Sequence, residues 1–303
     1  MTAYRFCRSD DIGLLVDALN HCWAPYVAEE PPMTPVAFKR WIRDLQVWCS
    51  SCMVAFAGSE PIGVLIGAKR PTATLVHTIA VHPEHRRQGH GRHLLTSLAS
   101  KLAILGPPRI VAEVPDSLAA ACGLLDASGY AQEACLTDYL LPGDEVLPNT
   151  EVTQAQRKFV IPVTVDDLAA NGLLGEADPQ TCWRRSIETL TARKDDVSGL
   201  AVASDERIEA FVLYVRCAAN PEENAASDAQ ATPPFVDIVS LRSVVEDEGA
   251  GLKQLIAALR VSGPRTVRFA KVHPSEFSRE TMGALGFRPV STHLLYAVTA
   301  RSE

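Results

Sequence analysis

The sequence has no long hydrophobic run, no excess of positive charge and only one pair of closely spaced cysteines. Its 303 residues include 29 Lys and Arg against 36 Asp and Glu, a formal net charge of −7. A protein that tracks nucleic-acid phosphates needs basic residues in excess, so we do not expect a nucleic-acid binder. No stretch reaches the roughly 18 consecutive apolar residues of a membrane span, and the first residues lack signal-peptide character. We therefore expect neither a membrane anchor nor secretion.

The eight cysteines are scattered, and only Cys49 and Cys52 form a CxxC pair. A four-cysteine zinc site needs two such pairs. We therefore expect reduced, mostly buried thiols in a cytoplasmic protein, with a redox or metal role for this pair as the lesser alternative.

The organisation of the chain indicates two domains of α/β or α+β type. The length suggests about two domains, and 47% hydrophobic with 21% charged residues is ordinary for globular proteins. Hydrophobic periodicity predicts alternating elements in the first half. The predicted strands cover 4–7, 53–57, 62–68, 74–81, 109–114 and 134–141, and the predicted helices cover 10–20, 34–45, 92–105 and 117–128.

Three landmarks of the first half recur in the same order at offsets of 156 to 160 residues. They are Asp10-Asp11 with Asp166-Asp167, Gly89-His90-Gly91 with Gly249-Ala250-Gly251, and Gly129-Tyr130 with Gly286-Phe287. A fixed period of this kind predicts a tandem duplication. Residues 142–150 have linker composition, so we place the domains at 1–145 and 155–303. The polar stretch 218–234 is predicted to be a mobile loop.

A glycine-bearing turn near the middle of the first half predicts an anion site. Five of the eight histidines lie between His77 and His93, in a run where a strand ends, a turn follows and a helix begins. Backbone N–H groups converge at such a turn, and the helix dipole adds about half a positive charge. The side chains of Arg86, Arg87 and Arg92 add full charges, and Gly89 and Gly91 allow the backbone to approach closely.

The expected ligand of this turn is a phosphate ester, in particular a pyrophosphate. The turn matches neither the Walker loop nor the dinucleotide fingerprint. The third glycine or alanine of that fingerprint would fall on Leu94 here. An ordinary solvated basic turn is one alternative. Zinc is another, with the ligands His82, His85, His90 and His93.

The run Arg86-x-x-Gly89-x-Gly91, after the strand segment Ile79-Ala80-Val81, resembles the acyl-CoA signature of the GNAT acetyltransferase superfamily. The resemblance covers the order of elements over residues 1–141 and, more loosely, 156–300. It implies two tandem GNAT-like domains, each a mixed, splayed β-sheet flanked by helices, and acetyl-CoA as co-substrate without a metal. It also implies that Ile79, Ala80 and Val81 line the pantetheine arm as if it were an added strand. The pyrophosphate would be held by Arg86, Arg87, Gln88, Gly89, His90, Gly91 and Arg92.

Acyl transfer to a primary amine needs a deprotonated nitrogen, so a base is expected near the thioester. His77 precedes Ile79 by two residues, where arylalkylamine N-acetyltransferases have a similar histidine, although their companion histidine would fall at Leu75. The alternative is a half-buried histidine with a structural role. Glu113 on the next strand is a second candidate, and the resemblance implies the Val81 N–H as oxyanion donor.

The tyrosine that protonates the departing thiolate in many family members is replaced by Leu125. Cys122 or water is a substitute, or none is needed, because a thiol with a pKa near 8.5 leaves as thiolate.

The segment between the first two helices carries the predicted acceptor site. Trp23, Tyr26, Glu29 and Glu30 combine aromatic rings with carboxylates, which suits a cationic, partly apolar amine. A solvated loop explains the same composition equally well.

The second half carries acids at the corresponding turn. Glu246 stands where Arg86 stands and is followed by Asp247 and Glu248, so binding of a polyanion is not expected there. We interpret this half as a degenerate copy.

The sequence therefore predicts an acyltransferase that transfers acetyl from acetyl-CoA to a small-molecule primary amine by direct attack in a ternary complex. The alternatives are a non-catalytic acyl-CoA-binding module and a protein N-terminal or lysine acetyltransferase. A homodimer is left open.

Overall fold

The computed structural model describes residues 2–26, 31–143, 159–174, 182–217, 234–261 and 266–301. Most of the predicted linker and all but the last residue of the predicted mobile loop, together with Glu29 and Glu30, lie outside the described residues. Of the helices in the described ranges, none has the length and hydrophobicity to span a bilayer.

The chain divides into two compact units, one of Met1–Ala134 with His293–Glu303 and the other of Cys135–Thr292. These bounds differ from the predicted 1–145 and 155–303, because the last strand of each half begins in one unit and ends in the other. A hydrophobic strand pattern carries no information about which sheet the strand will join, so this exchange was not predicted.

The first unit contains a mixed sheet flanked by helices. Its strands are β1 (Thr2–Phe6), β2 (Met53–Ala57), β3 (Glu60–Lys69), β4 (Thr74–Val81), β5 (Arg109–Pro115) and the first residues of β6 (Ala131–Leu141), and its helices are α1 (Ile12–Cys22), α2 (Pro35–Leu45), α3 (His90–Leu105) and α4 (Ala119–Ala127). The strands β1 to β4 pair antiparallel in chain order, β4 and β5 pair parallel, and β5 pairs antiparallel with residues 293–299 of β12 (Arg288–Thr299). The predicted elements are confirmed to within about three residues at their ends.

The core of this unit lies between the sheet and α3. The predicted apolar stripe of α3 is confirmed for Leu94, Leu95, Leu98 and Leu102, which are at most 2% exposed. Leu105, predicted to belong to the same stripe, is 64% exposed because the helix ends there. This packing fixes α3 against the sheet and thereby positions its N-terminus beside the end of β4.

The second unit repeats the order of elements. It contains β7 (Phe159–Val163), α5 (Val165–Ala170), α6 (Ile187–Ala192), β8 (Ser198–Ala203), β9 (Ile208–Cys217), β10 (Phe235–Ser243), α7 (Ala250–Val261), β11 (Val267–Val272), α8 (Arg279–Ala284) and the start of β12. Its sheet order is β6, β11, β10, β9, β8, β7, with β10 and β11 parallel. The landmark glycines have matching left-handed φ angles, 87° and 77° at Gly89 and Gly249, and 81° and 87° at Gly129 and Gly286. Both halves therefore share backbone geometry at these two glycine landmarks.

Candidate active site

A split between two parallel strands of the first unit forms one wall of the candidate site. The ladder between β4 and β5 comprises the pairs Thr74↔Ile110 and Leu75↔Val111, although both strands continue for four or more residues. On the other side of β4, the His82 N–H donates to the Ile62 carbonyl at 2.9 Å. Hydrogen-bonded and non-hydrogen-bonded pairs alternate in an antiparallel ladder, so the N–H and C=O groups of Ile79 and Val81 point away from β3 and into the split. The backbone there offers an extended ligand an edge to pair with.

The N-terminus of α3 forms the second wall. Gly89 precedes the helix with a φ of 87°, a conformation that side-chain-bearing residues rarely adopt. The His93 N–H donates to the Gly89 carbonyl at 3.0 Å, so the N–H groups of His90, Gly91 and Arg92 precede the first helical hydrogen bond. Three backbone donors and the positive end of a 16-residue helix therefore face the turn, as an anion site requires.

Gly91 has a packing role that the sequence did not reveal. A Cβ atom at this position would lie 3.0 Å from the Leu124 Cδ2 atom of α4. Such contacts are tighter than side chains normally tolerate, so Gly91 allows α3 and α4 to approach each other. A substitution at Gly91 would therefore perturb helix packing as well as the predicted close approach of a phosphate.

The histidine rings around the turn neighbour one another without forming a metal-binding group among the described residues. The ring centroids of His82 and His85 are 6.1 Å apart, and those of His85 and His90 are 6.4 Å apart. Within the described ranges, no group of three or more His, Cys, Asp or Glu side chains is arranged to hold a metal ion. The zinc alternative therefore has no geometric support in this part of the chain.

His90 is held instead by Tyr4 of β1, a partner with no sequence signal. The Tyr4 hydroxyl and the His90 Nδ1 atom are 2.7 Å apart, and the Tyr4 ring lies 3.8 Å from the His93 ring. Burial lowers the pKa of His90, and the neighbouring His85 and His93 lower it further. Tyr4 thus fixes the first residue of α3 beside the turn.

His77 lies at a β-bulge. Ile66 pairs with Thr78 and Gly67 with Val76, so His77 is the extra residue on β4. Its ring meets the edge of Trp41 from α2, with the centroids 4.6 Å apart. Ile79 packs against the core beside α3, so His77 and Ile79 lie on opposite faces of the strand. The bulge turns His77 toward the face that α2 covers.

Glu113 is on the same face as His77. Its neighbours Ala112 and Val114 pack against the α3 side of the sheet, and successive strand residues alternate between faces. Glu113 is half-buried and pairs with Leu295 of β12. The two candidate bases therefore lie on one face of the two strands that flank the split.

Tyr26 contacts the donor side of the site. It ends the short 3-10 turn Ala24–Tyr26, which follows α1, and it is 41% exposed. Its hydroxyl donates to the Val81 carbonyl, and the Arg86 Nε–H donates to the same hydroxyl. The Arg86 guanidinium also lies over the Tyr26 ring, 3.9 Å from its centroid, while Trp23 is the next aromatic ring at 6.2 Å.

The position of the absent tyrosine lies in the core. Leu125 is 2% exposed and packs among the leucines of α3. Cys122, one turn earlier, is also buried, with its thiol 4.0 Å from the Pro115 carbonyl. The side chain of Tyr296 on β12 belongs to the same cluster, and burial raises its pKa. The structure assigns none of these groups to the site.

The second unit fills its corresponding helix N-terminus with its own carboxylate. The Asp247 side chain accepts from the Gly249 N–H at 3.1 Å and from the Gly251 N–H at 2.8 Å. Asp247 occupies the repeat position of Arg87 and Glu246 that of Arg86, so two charge reversals separate the two turns. The Ala250 N–H also donates to the Asp247 carbonyl at 3.0 Å, so the counterparts of the His90 and Gly91 amides are already bonded in the second unit.

The geometry defines an α/β domain whose strand–turn–helix unit opens beside a split in a mixed sheet. Residues 15–130 match the model of the acetyltransferase (GNAT) family. Residues 15–130 therefore form a GNAT acetyltransferase domain. No protein of curated function matches the sequence significantly.

Solved GNAT structures resemble the chain over both units. A tandem GNAT protein from the clavulanic acid biosynthesis pathway is 16% identical over all of both chains, with a TM-score of 0.61. A GCN5-related N-acetyltransferase from Sphaerobacter thermophilus is 15% identical over 99% of this chain and 96% of its own, with a TM-score of 0.64. A glucosamine N-acetyltransferase region of a fungal β-N-acetylglucosaminidase is 12% identical over 98% of this chain and 38% of its own, with a TM-score of 0.70. At these identities the likeness establishes the fold, and it extends the GNAT fold to the second unit.

Proposed function

We propose that the protein is an acetyl-CoA-dependent N-acetyltransferase that acylates a primary amine of a small molecule by direct attack in a ternary complex. The observation that carries this proposal is the split between β4 and β5, which leads directly to the donor-rich N-terminus of α3. One extended ligand with a diphosphate at one end fits both features. The family match supports the same chemistry.

The donor would be held by backbone groups more than by side chains. Ile79 and Val81 would pair with the pantetheine arm in the manner of an added strand. The N–H groups of His90, Gly91 and Arg92 would bind the pyrophosphate, with Arg86 and Arg87 supplying positive charge.

The amine nitrogen would attack the thioester carbonyl carbon after losing its proton. His77 or Glu113 would take that proton, directly or through a water, because both lie on the face of the flanking strands that is opposite α3. The backbone N–H of Val81 would donate to the carbonyl oxygen as negative charge develops on it. The carbon–sulfur bond then breaks, and coenzyme A leaves as a thiolate, which needs no tyrosine acid. The nitrogen would lose its second proton to water or to the departing thiolate, which leaves the neutral amide.

The acceptor would enter beside the segment after α1. Aromatic rings at Trp23 and Tyr26, with the carboxylates predicted at Glu29 and Glu30, suit a cationic amine with an apolar portion. An amino sugar belongs in the test panel as well, because the fungal relative is named for glucosamine.

Calorimetric titration with acetyl-CoA, followed by an assay of free thiol release, tests this function. We expect one acetyl-CoA per chain, since Asp247 occupies the second turn, and thiol release with at least one small amine. The panel should contain arylalkylamines, glucosamine and peptides with free N-termini or lysines. Absence of binding would refute the proposal. Binding without thiol release would indicate a non-catalytic acyl-CoA module, and turnover of peptides alone would indicate a protein acetyltransferase.

A further inference from the structure

The Tyr26 hydroxyl bonds a backbone carbonyl, that of Val81, which the pantetheine arm of acetyl-CoA would also use. The hydroxyl donates to this carbonyl, which points into the split between β4 and β5. A ligand that adds to β4 as a strand must bring its own N–H donor to that carbonyl from the same direction. The phenol and the pantetheine arm therefore compete for one position.

Arg86 couples this competition to the diphosphate. It is the first residue of the acyl-CoA signature, yet its Nε–H donates to the Tyr26 hydroxyl and its guanidinium covers the Tyr26 ring at 3.9 Å. A diphosphate at the α3 N-terminus would attract the same guanidinium and form stronger, charge-assisted hydrogen bonds with it. Donor binding thus removes both partners of Tyr26 together.

We propose that Tyr26, Val81 and Arg86 form a latch across the donor groove, which acetyl-CoA must open in order to bind. Tyr26 is a positioning residue in this scheme. Its hydroxyl occupies the Val81 carbonyl when the groove is empty and leaves it when the groove is filled.

This inference rests on the proposed function, and Tyr26→Phe tests it. The substitution keeps the ring but removes the hydroxyl that both partners use. Loss of two hydrogen bonds that compete with the donor should tighten acetyl-CoA binding about tenfold. Tyr214→Phe is the matched control. It removes the hydroxyl of a tyrosine–arginine pair in the second unit, in which the Arg216 Nη2 atom donates to the Tyr214 hydroxyl at 3.5 Å. This substitution should leave the affinity for acetyl-CoA unchanged.

Trp23 supplies an independent readout, because its ring lies 6.2 Å from that of Tyr26. Saturating acetyl-CoA should change the Trp23 fluorescence of the wild-type protein, and the change should disappear in Trp23→Phe. Thermal unfolding of each variant verifies its fold.

The outcomes separate the latch from the proposed function. Tighter binding by Tyr26→Phe together with the Trp23 signal supports the latch. Equal or weaker binding by this variant, with normal binding by the wild type, overturns the latch and leaves the proposed function standing. An unchanged Trp23 signal at saturation also overturns it. If neither protein binds acetyl-CoA, the proposed function fails and the latch fails with it.

Discussion

Replacing Arg87 by aspartate would give the first unit the charge that the second unit carries at the equivalent position. In the second unit, the Asp247 carboxylate accepts from the Gly249 and Gly251 N–H groups at 3.1 and 2.8 Å. Arg87 is exposed and has a φ of 61°, a conformation that aspartate adopts more readily than arginine. The substitution should therefore leave the fold intact while placing a carboxylate beside the Gly89 turn.

The expected loss of affinity follows from the charge change. Two unit charges about 5 Å apart in water interact by roughly 0.8 kcal/mol. A change of two charge units facing a diphosphate of about two charges multiplies this to roughly 3 kcal/mol. Screening at physiological ionic strength, with a Debye length of about 8 Å, reduces it to about 2 kcal/mol. The dissociation constant of acetyl-CoA should therefore rise about 30-fold.

Titration calorimetry at low and high salt measures this effect. Arg87→Asn is the neutral control and should lose about half of the binding free energy that Arg87→Asp loses. The difference between wild type and Arg87→Asp should shrink to about threefold at 1 M salt, where the Debye length is about 3 Å. Wild-type affinity of Arg87→Asp at low salt would refute the assignment of the anion site to this turn.

Three further outcomes follow from the two units. His77→Gln should lower turnover about 100-fold or more without changing acetyl-CoA affinity, and a pH–rate profile that keeps its rising limb would exclude His77 as the base. Asp247→Asn should leave acetyl-CoA affinity unchanged but lower the unfolding free energy by about 1 kcal/mol, because it weakens the cap of α7; altered donor affinity would place a second site in that unit. The Arg109 guanidinium donates two hydrogen bonds to the Glu133 carboxylate, at 3.0 and 2.5 Å, and holds the pKa of Glu133 below its usual range. This pair therefore stabilises the fold above the ordinary glutamate pKa. The stabilisation is lost as pH falls through the lowered pKa. In urea unfolding from about pH 5 to 3, Glu133→Gln should lose less stability than the wild type, and parallel losses would show that the pair is inactive.

The donor turn was the most predictable part of the site because its determinants are local. Gly89 follows the basic residues and precedes an apolar stripe, and these neighbours alone specify a strand, a left-handed turn and a helix N-terminus. The residues that support the turn were not predictable. Tyr4 reaches His90, and Trp41 reaches His77, from elements that are distant in the chain. Neither contact produces a motif or a regular residue spacing that could be recognised in a single sequence.

The sequence by itself determined the elements, the repeat and the charge of each turn. These features depend on residues that are close together in the chain. They are helical periodicity, glycines that adopt left-handed φ angles, and charged side chains, so a short stretch of sequence is enough to predict them. Tertiary structure decided the rest. It determined which strands pair, so that the ladder of β4 and β5 stops at Leu75 and the last strand of each half crosses to the other unit. It also gave Gly91 its packing role and Tyr26 its position on Val81. Each of these depends on long-range packing of side chains and on strand register, which a linear pattern of residues does not encode.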